Sequence, residues 1–205
     1  MVGFSPDVDT FSNRRTNLDV LWRHNSDNKT PMILLGLSGK KQSGKNTVAR
    51  LIAQHSKGSV YELGFADALK IEVATACGVP LDYLEEQKSR FRPILQWWGT
   101  EFRRYDDLDY WIRKVGTKLI ESSYKPDVAI ITDCRFVNEA EAVRSWNGVM
   151  VRVLRTTELQ NHDPHSSETA LDSYKHDFTL INDGHLGELS ANILTLCTKL
   201  NIPLK

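Results

Sequence analysis

Five short apolar runs punctuate the chain: residues 32–37 (MILLGL), 60–65 (VYELGF), 128–132 (VAIIT), 149–154 (VMVRVL) and 178–181 (FTLI). Runs this rich in Ile, Val and Leu suit strands covered on both faces. Between them the apolar period lengthens. Val48, Leu51, Ile52 and His55 share one helical face, and Trp111, Val115 and Leu119 share another. Leu186, Leu189, Ile193, Leu196 and Leu200 recur at alternating steps of three and four, as in a helix docked on a core. Strands separated by helices predict a parallel α/β sheet with right-handed crossovers. Residues 1–30 are polar and read as an amino-terminal arm or extension, so the folded domain is expected over 31–205. Residues 155–177, polar and rich in His and Ser, are expected as an exposed excursion.

Composition narrows the partners. Lys plus Arg equals Asp plus Glu at 26 each, so no global basic excess favours long nucleic acid or an anionic membrane. Any bound anion must be gripped locally. Cys77, Cys134 and Cys197 are far apart and outside metal-ligand spacing, as expected of reduced thiols in a cytoplasmic protein. No apolar run reaches the ~18 residues of a membrane span, and the first residues lack the apolar core of a secretion signal. Aromatics exposed near Trp146 would suit a homodimer.

The first run leads into SGKKQSGKNT (38–47) and then into an amphipathic segment. Strand, glycine loop and helix is the context that a phosphate-binding loop requires. Gly39 and Gly44 let successive N–H groups converge, the helix adds the positive end of its dipole, and Lys45 places a charge on the β and γ phosphates. Asn46 stands where the strict pattern has the hydroxyl that helps hold magnesium, and Thr47 follows it. With the strand pattern, this loop predicts a three-layer P-loop NTPase fold: a parallel sheet flanked by helices, plus a mobile lid over about 155–177.

Other stretches must supply the second substrate. In GFADALK (64–70), Asp67 is placed as a helix N-cap, with Lys70 one turn on and able to reach an anion. In residues 90–111, Pro93 can open a helix on which Arg92, Gln96 and Arg103 recur near helical spacing. Gly99 there lets a ligand or another backbone approach closely. Arginine suits a phosphate and glutamine a base edge. Trp97, Trp98 and Trp111 offer flat surfaces, one or two of them as plain core. Asp133 ends a strand at the carboxyl edge of the sheet, where open α/β folds bind ligands. It either orients magnesium-bound water or the acceptor phosphate, or caps a helix. Arg135 suits a phosphate and Glu139 a sugar hydroxyl or base. Arg152 and Arg155 flank the excursion that carries His165, Ser167 and Glu168, and either close over the transferring phosphates or stay solvated.

Together LSGKKQSGKNTVA, FADALK, LQWWGTEFRR, DYW, TDCRFVNEAE, HSSETALD and INDGHLGEL resemble, in order, the phage-type deoxynucleoside monophosphate kinases. The resemblance spans residues 33 to about 195. It implies transfer of the γ phosphate of ATP to a deoxynucleoside monophosphate with magnesium, in a host cytoplasm if the chain is of phage origin. It places ATP on Gly39, Lys41, Ser43, Gly44, Lys45, Asn46 and Thr47, with Arg155 and the HSSE stretch as the closing lid. The monophosphate falls to Lys70, Arg92, Gln96, Gly99, Thr100, Trp111, Asp133, Arg135 and Glu139, within a region of about 66–125 and the turn after 132. Catalytic roles fall to Lys45, Asp133, Arg135 and Arg155, and magnesium to Asn46, Thr47 or Asp133 through water. Asn46 departs from the aspartate of many relatives, and Trp97 with Trp98 would narrow the base pocket. Two rivals stay open: a kinase like animal phosphomevalonate kinase, which shares the SGKxxSGK loop, and a P-loop switch protein that binds ATP without making a phosphorylated product.

Overall fold

The structure is a computed structural model that describes residues 32–121, 126–155 and 165–205. The arm at 1–30 lies outside the described residues. Five strands, β1 (Ile33–Ser38), β2 (Val60–Leu63), β3 (Val128–Cys134), β4 (Val149–Leu154) and β5 (Phe178–Ile181), form one sheet in the order β2-β3-β1-β4-β5. Every pairing is parallel, with Leu35 opposite Ile130 on one side and Val149 on the other. The expected strand segments all form; only the second stops short, because Phe65 already starts a helix.

The helices are α1 (Lys45–His55), α2 (Phe65–Cys77), α3 (Leu81–Glu86), α4 (Lys88–Gln96), α5 (Arg103–Asp106), α6 (Tyr110–Glu121), α7 (Val137–Ser145), α8 (Ser166–Thr169) and α9 (Leu186–Lys199). A π-helical turn, Trp97–Phe102, joins α4 to α5. No helix among the described residues is long and apolar enough to cross a membrane.

Alternation along the strands divides the core into two layers. Leu35, Leu37, Ile130, Val151 and Val153 point to the face covered by Val48 and Ile52 of α1 and by Leu189, Ile193 and Leu196 of α9. Leu34, Ala129, Ile131 and Met150 point to the other, against Trp111 and Val115 of α6 and Ala140 and Val143 of α7. Gly36 belongs to this second face, where a Cβ would stand 2.6 Å from Met150 Sδ. A third cluster, Val73, Ala74 and Leu84 with Phe91, Ile94 and Leu95, gives α2 to α4 a small core beside the sheet.

Several local expectations are corrected. Asp67 sits at the third position of α2, not at its cap, and accepts from Gly64 N–H at 2.9 Å. Pro93 lies inside α4, which starts earlier because Gln87 O accepts from Arg90 and Phe91 N–H. Trp146, at the end of α7, is buried in the second layer beside Gly116 of α6 and cannot serve an exposed dimer face; the exposed aromatics among the described residues are Tyr83, Trp97, Phe102 and Tyr105. Leu186 is exposed on the first turn of α9, while Leu171 and Glu168, within the expected exposed excursion, are buried.

Truncating the fully buried Ile130 to Ala is expected to destabilise the domain by about 2–5 kcal/mol, through lost burial plus the cavity left behind. Urea denaturation measures this, and a loss under about 1 kcal/mol would contradict the packing of the central strands.

Candidate active site

A cleft of about 780 Å³ opens at the carboxyl ends of β1, β2 and β3, where parallel sheets of this kind place their ligands. Its walls come from the loop before α1, the starts of α2 and α7, the inner side of α4 to α5, and α8.

The loop is shaped by conformations that few side chains permit. Gly39 has φ +143, and a Cβ on it would meet Val153 O at 2.3 Å. Gly44 has φ +97, and there the clash would be with Asn182 Nδ2. Asn182, just after β5, donates from that nitrogen to Ser43 O at 2.8 Å and so anchors the loop from across the sheet. Lys45 curls back, its ammonium donating to Gly39 O at 2.6 Å and Lys40 O at 2.8 Å. Helix α1 has no acidic residue in its first turn and no side-chain cap at Gly44, so the positive end of its dipole faces the cleft unopposed. Lys41, Gly44, Lys45, Asn46 and Thr47 line the cleft, whereas Ser43 is buried beneath it and Gly39 sets the bend.

Opposite the loop stand two arginines. Arg92 comes from α4 and Arg135 from the turn after β3, and both meet the carboxylate of Glu168 on α8. Glu168 Oε1 accepts from Arg135 at 2.5 Å and from Arg92 at 3.3 Å, and Oε2 accepts from Lys41 N–H at 2.9 Å. Burial pushes the Glu168 carboxyl up, but the charge and hydrogen bond of Arg135, the Lys41 N–H and the charge of Arg92 outweigh it and hold the group below its ordinary range.

Arg92, Gln96, Thr100 and Arg104 all line the cleft at steps of four. A regular helix would rotate such a series away; the π-helical turn at Trp97–Phe102 widens the coil and keeps it on one side. At its far end the guanidinium of Arg104 is buried over the ring of Phe136, 4.0 Å from the ring centre, and pairs with Glu139. Glu139 also accepts from Arg135 N–H at 2.8 Å and Phe136 N–H at 3.1 Å, which fixes the start of α7. Burial raises its carboxyl to about 7, against the opposing charge of Arg104.

The positions expected from the sequence thus take different kinds of place. Lys70 lines the cleft and bonds Glu85 at 2.7 Å. Asp133 lines it too, but its two oxygens accept from Phe65 N–H at 2.7 Å and Ala66 N–H at 2.9 Å, so it caps α2 from the neighbouring strand. Burial raises the Asp133 carboxyl despite those bonds. Trp111 is core with one edge on the cleft, and its Nε1 donates to Gly99 O at 2.9 Å. The neighbour that Gly99 admits is a side chain: a Cβ there would stand 2.8 Å from Leu69 Cδ2. Trp97 and Trp98 are not among the cleft-lining residues, so they do not narrow it; Trp98 turns to Glu72 instead. Arg155 is exposed at the end of β4 and is absent from the cleft lining among the described residues. Residues 156–164 of the expected lid lie outside the described residues. Arg104 is not marked as a site residue by the sequence, and Glu168 is marked only as part of the polar excursion and of HSSE, without its partners; Glu139 and Arg135, which they meet, stand 35 and 33 residues away.

No group of three or more His, Cys, Asp or Glu among the described residues could hold a metal. Magnesium needs no such cage when phosphates and water supply most of its oxygens, and the Thr47 hydroxyl and Asn46 amide at the loop end are compatible with that mode.

A glycine loop between a central parallel strand and a helix, facing a second cationic cluster across one cleft, defines a nucleotide-binding P-loop kinase fold. The chain belongs to the deoxynucleotide monophosphate kinase family, whose profile matches residues 80–193. It is 28% identical over 188 residues to a protein of Acanthamoeba polyphaga mimivirus provisionally named deoxynucleotide monophosphate kinase, covering 80% of this chain and 95% of that one. It is equally 28% identical, over 191 residues, to ORF77 of Ictalurid herpesvirus 1 (strain Auburn), a protein of uncharacterised activity, covering 90% of this chain and 78% of that one. Among solved structures it resembles a shikimate kinase from Aquifex aeolicus at 15% identity and a TM-score of 0.45, covering 82% of this chain and 97% of that one. An overlap that low bears on neither substrate nor mechanism.

Glu139 titrates at an ordinary 4.5 when unfolded and at about 7 when folded. Its contribution to stability is therefore full below about 4.5 and is lost as pH rises through about 7. The stability of the wild type relative to Glu139→Gln should fall across that window in urea titrations at a series of pH values. Parallel pH curves would contradict the raised carboxyl.

Proposed function

We propose that the protein transfers the γ phosphate of ATP to a deoxynucleoside monophosphate, yielding ADP and the deoxynucleoside diphosphate. The observation that carries this reading is the facing of two anion-binding sets across one cleft, the loop of Gly39–Thr47 on one wall and Arg92 with Arg135 on the other. A switch protein that only binds ATP would leave the second set without a task.

Phosphoryl transfer asks for alignment, charge neutralisation and exclusion of water more than for covalent chemistry. On this reading Lys45 leaves the loop carbonyls it bonds at rest and meets the β and γ phosphates, together with the loop N–H groups and the α1 dipole. Arg92 and Arg135 grip the acceptor phosphate, and Lys70 adds charge from α2. Arg155, exposed at the end of β4, adds charge to the shield around the transferring phosphates. Gln96 and Thr100, next along the stripe from Arg92, take the sugar and base, with Leu69, Leu95 and Phe136 as the apolar walls that a planar base needs. Gly99 and Trp111 shape that pocket, and Glu139 supports it through Arg104 and the Arg135 backbone. Asp133, although bonded to α2, keeps lone pairs for a magnesium-bound water. Magnesium, held by Thr47, Asn46 and the nucleotide, would neutralise charge on the bridging phosphate oxygens. No general base is required, because the acceptor phosphate is already an anion near neutral pH.

Purified protein with ATP and magnesium is expected to release ADP with at least one of dAMP, dCMP, dGMP and dTMP. Lys45→Ala should lower that turnover on the order of 10³-fold while leaving the circular dichroism unchanged. Release of ADP with phosphomevalonate and none of the four monophosphates would replace this reading with the small-molecule kinase. Near-normal transfer by Lys45→Ala would remove the loop from the mechanism.

A further inference from the structure

We propose that Glu168 is a positioning residue, which assembles Arg92 and Arg135 into one phosphate clamp and ties that clamp to the nucleotide loop. The inference rests on the kinase reading above but concerns a carboxylate to which that reading gives no role.

Two guanidinium groups that must grip one phosphate repel each other before it arrives. A carboxylate between them offsets that repulsion and leaves a net positive charge for the incoming anion. Glu168 is built into this position: one oxygen accepts from both arginines, at 2.5 and 3.3 Å. The other oxygen accepts from Lys41 N–H at 2.9 Å, so the same side chain spans the clamp and the donor loop. Arg135 is held further by a bond from Nη1 to Ser167 O at 3.2 Å, and its backbone N–H is held by Glu139.

Burial decides whether Glu168 supports the clamp or merely occupies it. The side chains of Arg92 and Arg135 are each 29% exposed, whereas that of Glu168 is 4% exposed. Glu168 borders the same cleft but is the least exposed of the three, and it engages Nη1 of Arg135 and Nη2 of Arg92, so a phosphate that meets the arginines from their more exposed side need not expel it. The carboxylate is also the better choice over an amide. All three of its partners are donors, and a glutamine would turn an NH₂ group toward one of them.

The test uses the full-length protein and the variants Glu168→Gln, Glu168→Asp, Arg92→Ala and the double variant Glu168→Gln with Arg92→Ala. In steady-state transfer, Glu168→Gln is expected to raise KM for the monophosphate about tenfold or more, with KM for ATP changing less than about threefold. Glu168→Asp should recover part of the loss, because charge is kept and reach is shortened. The double variant should lose less than the product of the two single effects, since part of the Glu168 effect passes through Arg92 and the rest through Arg135. A KM for the monophosphate that is unchanged in Glu168→Gln overturns the inference. One that falls overturns it too, because the carboxylate would then compete with the phosphate. Calorimetric titration with inorganic phosphate, with the loop filled by the non-hydrolysable analogue AMP-PNP, reads the clamp without turnover. Weaker phosphate binding by Glu168→Gln in a protein that phosphorylates none of the monophosphates would retain the clamp and discard the kinase reading. Equal phosphate binding by wild type and Glu168→Gln would discard the clamp whatever the activity.

Discussion

A carboxylate set into the wall of a cleft is tolerated only where N–H donors or cations meet it, and three such groups hold this cleft together. Asp133 reaches from β3 to the first N–H groups of α2. Glu139 closes on the backbone of Arg135 and Phe136 and on the buried Arg104. Glu168 ties the glycine loop to two arginines from separate elements. In each case the acid fixes a piece of backbone and, for the latter two, a guanidinium as well. Removing one such acid would leave donors unpaired as well as losing its own contacts, which costs more than the net value of the bonds. The cationic groups of the cleft are thus organised by acids set among them in the same wall, of which Glu139 and Glu168 are buried.

The sheet and the glycine loop were legible in the chain because both are written locally. Continuous apolar runs at residues 32–37 and 128–132 mark strands within a few positions, and a run of glycine and lysine after the first strand carries its own geometric reason. The two layers follow because successive side chains of a strand point to opposite faces, one of which α1 and α9 cover. What could not be read locally depends on partners far along the chain. Glu168 meets Arg92 across 76 residues, and no periodicity marks the pair. Arg104 reads as one more surface charge until the fold folds it over Phe136. Trp146 offered no sign, beyond its size, that it would be buried in the second layer beside Gly116 of α6. Pro93 was misplaced for the opposite reason: a local rule favoured it at a helix start, and the Gln87 carbonyl had already started that helix.

Family membership and the cleft geometry bear on different parts of the molecule. The family profile covers residues 80–193, from the helices beside the sheet to the last helix, and leaves the glycine loop outside its span. That loop is instead supported by its own conformation, with Gly39 and Gly44 where larger residues would strike Val153 and Asn182. The family profile and the loop conformation are therefore independent observations, and Glu168 is a side chain that touches both the loop and the arginines facing it.

The wide turn at Trp97–Phe102 carries a consequence for insertions. Its six residues at the wider pitch turn through about the same angle as five at the ordinary one, so the turn takes up one extra residue while α4 and α5 keep their facing. A residue gained or lost at this point would therefore alter the wall between Gln96 and Arg104 without rotating either of them out of the cleft.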